Sequence, residues 1–196
     1  MCEYGNQGSG WCGWLPMLDC AAMEDAYLDR VLIGGRERRE VVITPYDPAW
    51  PERFRVERAR IAAALGPRAL RIEHIGSTSV PGLAAKPIVD ILVEVAALGD
   101  AGGLEQAGYV LRVREEGHRM FRTPELDVHV HVWPTGHADI AAQLSFRDRL
   151  RASPEDCAAY EALKRELASR EWPDMNHYAE AKGQLIREIL ARVATG

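Results

Sequence analysis

The strongest constraint on how this chain folds is the segment 87–95. Ile88, Val89, Ile91, Leu92, Val93 and Val95 form a nearly continuous apolar run, interrupted by Asp90 and Glu94. Such a run marks a central strand covered on both faces. A carboxylate in that setting costs several kcal/mol (roughly) unless it is paired or bound to a metal. Asp90 therefore needs a partner, and the alternatives are a salt bridge to Lys86 or an arginine, or a cation.

The residues before this strand suggest the cation. Residues 69–75 read as another strand, and 76–85 as a turn bearing glycine and serine. Gly76 lets the backbone approach a ligand closely. The N–H groups and hydroxyls of Ser77 and Thr78 suit a phosphate oxygen. Asp90 on the following strand suits Mg²⁺, which takes oxygen ligands and bridges phosphates. The plainer reading of Gly76-Ser77 is a tight turn. A Walker A loop is excluded, because five residues separate Gly76 from Gly82 and Leu83 stands where that motif needs lysine.

Around this segment the pattern alternates. Val41, Val42 and Ile43 predict a strand, followed by a stretch broken by Pro45, Pro48 and Pro51. Phe54, Arg58, Ile61 and Leu65 recur at helical spacing up to Gly66-Pro67. A short helix is expected over 98–107, and strands over 109–113, 119–122 and 127–133. Three helices should follow, over 138–151, 153–170 and 175–193, with Ser153-Pro154 as an N-cap and first helical residue. The stripe of Leu185, Ile186, Ile189, Leu190 and Val193 reads as core. The expected fold class is mixed α/β, with a central mixed sheet flanked by helices and a helical C-terminal part.

The expected domain occupies 41–196, preceded by an extension over 1–40. Residues 1–22 are rich in glycine and lack periodicity, so they are expected to be disordered, with Met23 a candidate start. A short helix is expected over 24–33, ending at Gly34-Gly35.

A net charge of −5 over 196 residues argues against an extended nucleic-acid surface. No apolar run approaches the roughly 20 residues that span a bilayer. No lysine or arginine precedes Arg30, so a secretory signal is not expected. Cys2, Cys12, Cys20 and Cys157 form no C-x-x-C pair and read as reduced thiols in a cytoplasm.

Taken together, Pro45-Tyr46-Asp47-Pro48-Ala49-Trp50, His74 through Leu83, and Lys86-Pro87-Ile88-Val89-Asp90 resemble the GrpB family, which is placed in the nucleotidyltransferase superfamily. Phe146 to Arg151, Tyr160, Lys164, Tyr178 and Lys182 extend the resemblance over nearly all of 41–196. It implies a nucleotidyltransferase-like fold and a Gly-Ser pair followed, about a dozen residues on, by a metal-binding Asp. Twelve residues, Thr78 to Val89, separate Ser77 from Asp90 here. Family members have been linked by name and fusion to dephospho-CoA kinase, an activity this chain lacks the P-loop to perform.

One departure stands out. The superfamily places a second carboxylate two residues after the Asp, and here that position is Leu92. Glu94 shares the face of Asp90 but lies ~6–7 Å beyond Leu92; its plainer reading is solvent-exposed or paired. Asp127, His129 and His131 alternate along their own strand and could supply the missing ligands. Two metal schemes follow. Asp90, Asp127 and Glu94 would bind Mg²⁺ or Mn²⁺. Alternatively His74, His129, His131 and Asp90 would make a nitrogen-rich site for Zn²⁺ or Mn²⁺. The preference is for Mg²⁺ or Mn²⁺ over Zn²⁺. His129 and His131 read equally well as half-buried structural histidines, and His118 and His137 as loop residues.

The expected activity is transfer of a nucleotidyl group from an NTP to an acceptor. Asp90, His129 and His131 would be catalytic; Gly76, Ser77, Thr78, Lys86, Arg147 and Lys182 would bind the nucleotide. Tyr178 and Lys182, one helical turn apart, project together. The alternative is a non-catalytic nucleotide- or metabolite-binding regulator on the same fold, which Leu92 favours.

Overall fold

The computed structural model describes residues 25–194. The expectations for residues 1–22 and Met23 lie outside them. Helix α1 (Asp25–Val31) precedes a long irregular stretch. The expected strand at 41–43 does not form. Val41 packs instead against Leu167 and Tyr178, Val42 is exposed, and pairing is confined to one antiparallel bridge between Thr44 and Ala85. Pro45 then ends any extension of it.

Helix α2 (Trp50–Leu65) starts where Asp47 accepts a hydrogen bond from the Ala49 N–H and ends at Gly66. The sheet contains β1 (Arg71–Ile75), β2 (Val89–Val95), β3 (Val110–Arg114), β4 (Arg119–Arg122) and β5 (Val128–Pro134). Its order is β1-β2-β5-β4-β3, with β2 and β5 parallel and the other pairs antiparallel. The segment expected as one helix at 98–107 is a 3-10 turn, Leu98–Gly102, followed by α3 (Gly103–Gln106). Helices α4 (Ala138–Ala152) and α5 (Pro154–Ala168) follow, with Ser153 capping α5. The helix expected over 175–193 is two: α6 (Met175–Glu180) and α7 (Gly183–Ala194). A turn at Ala181-Lys182, just before Gly183, separates them.

Strand parity sorts the side chains. Val89, Ile91, Val93 and Val95 of β2 join Val128, Val130 and Val132 of β5 in the main core, packed with Ile61 and Leu65 of α2. The alternate residues, Asp90, Leu92 and Glu94 with His129, His131 and Trp133, face the other side. There the far end is apolar: Leu92, Trp133, Ile75 and Ile140 of α4 cluster together. The near end carries Asp90 and the histidines. Helices α4, α5 and α7 share a separate core through Phe146, Tyr160 and Ile186, which also holds Val80 and Leu83 of the turn. That core seats the C-terminal helices beside the polar end of the sheet. No helix among the described residues is long and apolar enough to cross a membrane.

Candidate active site

The site follows from the β2–β5 register. Asp90 pairs with His129, and Leu92 with His131, across parallel strands. Asp90 Oδ1 lies 3.4 Å from His129 Nδ1 and 3.6 Å from His131 Nε2. Among the described residues, these three form a cluster with metal-ligand spacing, their donor atoms all within 4.8 Å of one another. Burial alone would raise the Asp90 carboxyl. Hydrogen bonding and charge from His129 and His131 outweigh it and hold the carboxyl below the ordinary carboxylate range.

Gly76 makes room for this arrangement. It sits at φ +68°, and a Cβ there would lie 2.4 Å from Asp90 Oδ2. The turn after it is clamped from both sides. Ser79 donates to the Gly76 carbonyl at 2.6 Å, and Arg151 of α4 donates to the Ser79 carbonyl at 2.7 Å. Ser77 faces the pocket and interacts with the Tyr160 hydroxyl.

Three lysines line the pocket that Asp90, His129 and His131 share. The Lys86 and Lys182 ammonium groups lie 4.9 and 4.7 Å from the centre of the Tyr178 ring. Lys164 lies 5.0 Å from that of Tyr160 and donates to the Ala84 carbonyl at 2.5 Å. All three line the same pocket as Asp90, His129, His131 and Ser77. Burial pushes Lys182 down to about 7, and the neighbouring Lys86 and Lys164 add to the shift. Burial likewise pushes Lys164 down to about 7 and lowers Lys86. A pocket that crowds cations together out of water is suited to a polyanion.

Other candidates lie elsewhere. Glu94 pairs with Arg71 at 3.3 Å, at the opposite end of β2. Asp127 accepts from Thr123 at 2.8 Å and pairs with Arg53 at 2.9 Å. His74 pairs in register with Ile91 and so points to the α2 face, where it stacks on Phe54. Thr78 is buried and its hydroxyl is engaged by the Ile88 carbonyl and His74 Nε2, both at 3.1 Å. Arg147 reaches β1, donating to Glu73 and to the His74 carbonyl. None of these five joins the Asp90–His129–His131 cluster, and none lines its pocket.

Two sets of residues escaped the sequence reading. Lys164 and Tyr160 entered it only through the resemblance, without a site role. The signal was present: Tyr160-x-x-x-Lys164 repeats the spacing of Tyr178-x-x-x-Lys182. His118, read as a loop residue, is fully buried behind the site. Its Nε2 lies 3.3 Å from His131 Nδ1, and its Nδ1 lies 2.9 Å from Glu115 Oε2.

Burial lowers His74 from 6.5 to about 4, so the folded state holds it neutral where the unfolded chain would protonate it. Between those values the unfolded state binds more protons, and stability is lost as pH falls from 6.5 through 4. The full loss is about 3 kcal/mol. His74→Gln, which keeps a donor for Thr78, is expected to show a shallower acid limb in urea unfolding at pH 7 and 4.5. An unchanged slope would contradict this account.

Comparison with known proteins finds relatives along most of the chain. The family profile described as "GrpB protein" matches residues 40–192. A UPF0157 protein of Streptomyces coelicolor is 51% identical over 165 residues, spanning 82% of this chain and 88% of its own length. Another from Halalkalibacterium halodurans is 44% identical over 177 residues, covering 86% of this chain and 91% of the relative. The crystal structure of the conserved protein GrpB from Enterococcus faecalis superposes with a TM-score of 0.67 at 34% identity, over 77% of this chain and 98% of that one. With a profile match over residues 40–192 and relatives 44% and 51% identical along most of their length, the chain belongs to the GrpB family.

Proposed function

We propose that this protein binds a nucleoside triphosphate in the pocket between the β2–β5 strand ends and the C-terminal helices, and transfers a nucleotidyl group to an acceptor. One observation carries the reading. A single pocket is lined by a carboxylate and two imidazoles together with three lysines and Ser77. A divalent ion there would polarise the phosphoryl group under attack. Lys86, Lys164 and Lys182 would neutralise the phosphate chain, and Ser77 would orient it. Transfer of this kind depends mainly on positioning and charge stabilisation, which fixed side chains on strands and packed helices supply. The expected setting is the cytoplasm, where Cys157 stays a free thiol.

A second reading keeps the binding and drops the catalysis. It is favoured by Leu92, and by Glu94 and Asp127 being engaged away from Asp90. Titration calorimetry with ATP, GTP, CTP and UTP, each with Mg²⁺ and with Mn²⁺, tests both readings on wild type, Asp90→Asn and Lys182→Met. At least one triphosphate is expected to bind in a metal-dependent way that Asp90→Asn removes. Lys182→Met should weaken it roughly 10–100-fold, the worth of a charge-assisted hydrogen bond. Lys164 and Lys182, near 7 when free, should take up protons as the anion binds. Affinity should therefore fall as pH rises from 7 toward 9, and the heat should depend on the buffer. No binding, or equal binding by both variants, sinks the proposal; binding without turnover of any acceptor selects the second reading.

A further inference from the structure

We propose that Asp90, His129 and His131 hold a transition-metal ion in preference to Mg²⁺, and that His118 and Glu115 position His131 for it. The inference rests on the reading above for the metal's place in the pocket. It departs from that reading's origin, since the superfamily resemblance implies a pair of carboxylates around Mg²⁺.

The donor set does not fit that pair. Mg²⁺ is a hard cation that prefers oxygen ligands in octahedral geometry. Here one carboxylate meets two imidazoles, while Leu92 packs into an apolar cluster and Glu94 and Asp127 pair with arginines. Imidazole nitrogen suits Zn²⁺, Co²⁺, Fe²⁺ or Mn²⁺. Two of the three spacings agree. Ligands bound tetrahedrally at ~2.0–2.2 Å stand roughly 3.3–3.6 Å apart. The two Asp90–histidine separations are 3.4 and 3.6 Å, and all three donor atoms lie within 4.8 Å of one another. Three protein ligands on one side leave the pocket side open, the arrangement of a metal that also takes a substrate oxygen.

The residues behind His131 complete the case. A histidine ligand is usually oriented by a hydrogen bond from its second nitrogen. His131 presents Nε2 to Asp90 and Nδ1 to His118 Nε2 at 3.3 Å. His118 Nδ1 faces Glu115 Oε2 at 2.9 Å, and the Tyr27 hydroxyl donates to Glu115 Oε1 at 2.5 Å. With an ion held by His131 Nε2 in place of the proton it otherwise shares with Asp90, one proton assignment would satisfy the chain. His131 Nδ1–H donates to His118, and His118 Nδ1–H donates to the Glu115 carboxylate. Both rings are then neutral, and His131 Nε2 keeps its lone pair for a metal. His118, Glu115 and His131 are all buried, so the relay is shielded from water.

The test uses the full chain, stripped with chelator, and no nucleotide. Zn²⁺, Co²⁺, Mn²⁺ and Mg²⁺ are titrated separately by calorimetry, and Co²⁺ binding is also followed by its visible absorption. One Zn²⁺ or Co²⁺ per chain is expected, at least about 100-fold tighter than Mg²⁺. His118→Leu should weaken the ion roughly 10–100-fold and shift the Co²⁺ spectrum, as loss of an orienting partner does. His118→Gln, which keeps an acceptor for His131 Nδ1–H, should restore most of the affinity. If His118→Leu does not fold, the near-isosteric Glu115→Gln carries the same test. Mg²⁺ binding as tightly as Zn²⁺ overturns the proposal, as does the absence of any bound transition ion. Wild-type affinity in folded His118→Leu or Glu115→Gln overturns the positioning role. Triphosphate binding without an ion site would sink this inference alone, whereas an ion site without triphosphate binding would sink only the nucleotidyl-transfer reading.

Discussion

Leu92→Asp, which writes the missing carboxylate back into the superfamily pattern, is expected to remove most of the stability of this domain and to create no second metal ligand. Leu92 is fully buried and packs against Ile75, Trp133 and Ile140. Removing its side chain forfeits packing worth about 2–5 kcal/mol. An unpaired carboxyl in the same space adds a desolvation cost of several kcal/mol (roughly). A domain of this size has only about 5–15 kcal/mol in total. Leu92→Ala separates the two contributions, since it incurs only the first. Urea unfolding at pH 7 should rank wild type, Leu92→Ala and Leu92→Asp in that order. The deficit of Leu92→Asp should shrink toward pH 4, because the protonated acid is the form an apolar cluster tolerates. If Leu92→Asp and Leu92→Ala unfold together at both pH values, the cluster admits water and the argument fails.

Gly76→Ala should damage both the fold and the site. Gly76 has φ +68° and ψ −177°, a region nearly closed to residues with a Cβ; occupying it costs of order 1–3 kcal/mol. The added carbon would also lie 2.4 Å from Asp90 Oδ2 and 2.9 Å from Asp90 Cβ. Relief requires Asp90 to move, with an overpacking cost of about 1–3 kcal/mol. Gly82→Ala is the control. Gly82 has φ +81°, but a Cβ there would meet nothing within 4 Å, so only backbone strain of about 1–2 kcal/mol remains. Gly76→Ala is expected to be clearly the less stable of the two and to lose metal binding, while Gly82→Ala retains it. Equal stability together with intact metal binding would show that Asp90 does not depend on the close approach of the turn.

The apolar run at 87–95 and the Gly76-Ser77 pair before it sufficed to predict an interior strand of the sheet and the turn that lies against Asp90. Strand periodicity also put His129 and His131 on one face of β5, as the structure has them. The helical stripe at 185–193 was legible for the same reason in all but its last member: Ile186 and Ile189 are core and Leu185 and Leu190 pack against it, whereas Val193, near the end of α7, is exposed. Local pattern failed where the outcome depended on what lay across from it. Val41, Val42 and Ile43 have strand propensity but no strand edge beside them, and one bridge at Thr44 is all that forms. The break between α6 and α7 was hidden because Ala181 and Lys182 are good helix formers on their own.

Residue types and their order along the chain were enough for the family, the mixed α/β class, the position of the glycine turn and the acid that faces it. These rest on hydrophobic periodicity and on residues whose backbone or charge requirements are local. Which candidates meet was settled by the way the elements pack. Register between β2 and β5 set Asp90 against two histidines, and the parity of β1 turned His74 to the opposite face. Packing of α5 to α7 brought Lys164 and Lys182 to Lys86, and the return of β4 put His118 behind His131. Distances between side chains far apart in sequence are fixed by strand pairing and core packing, which no single segment encodes.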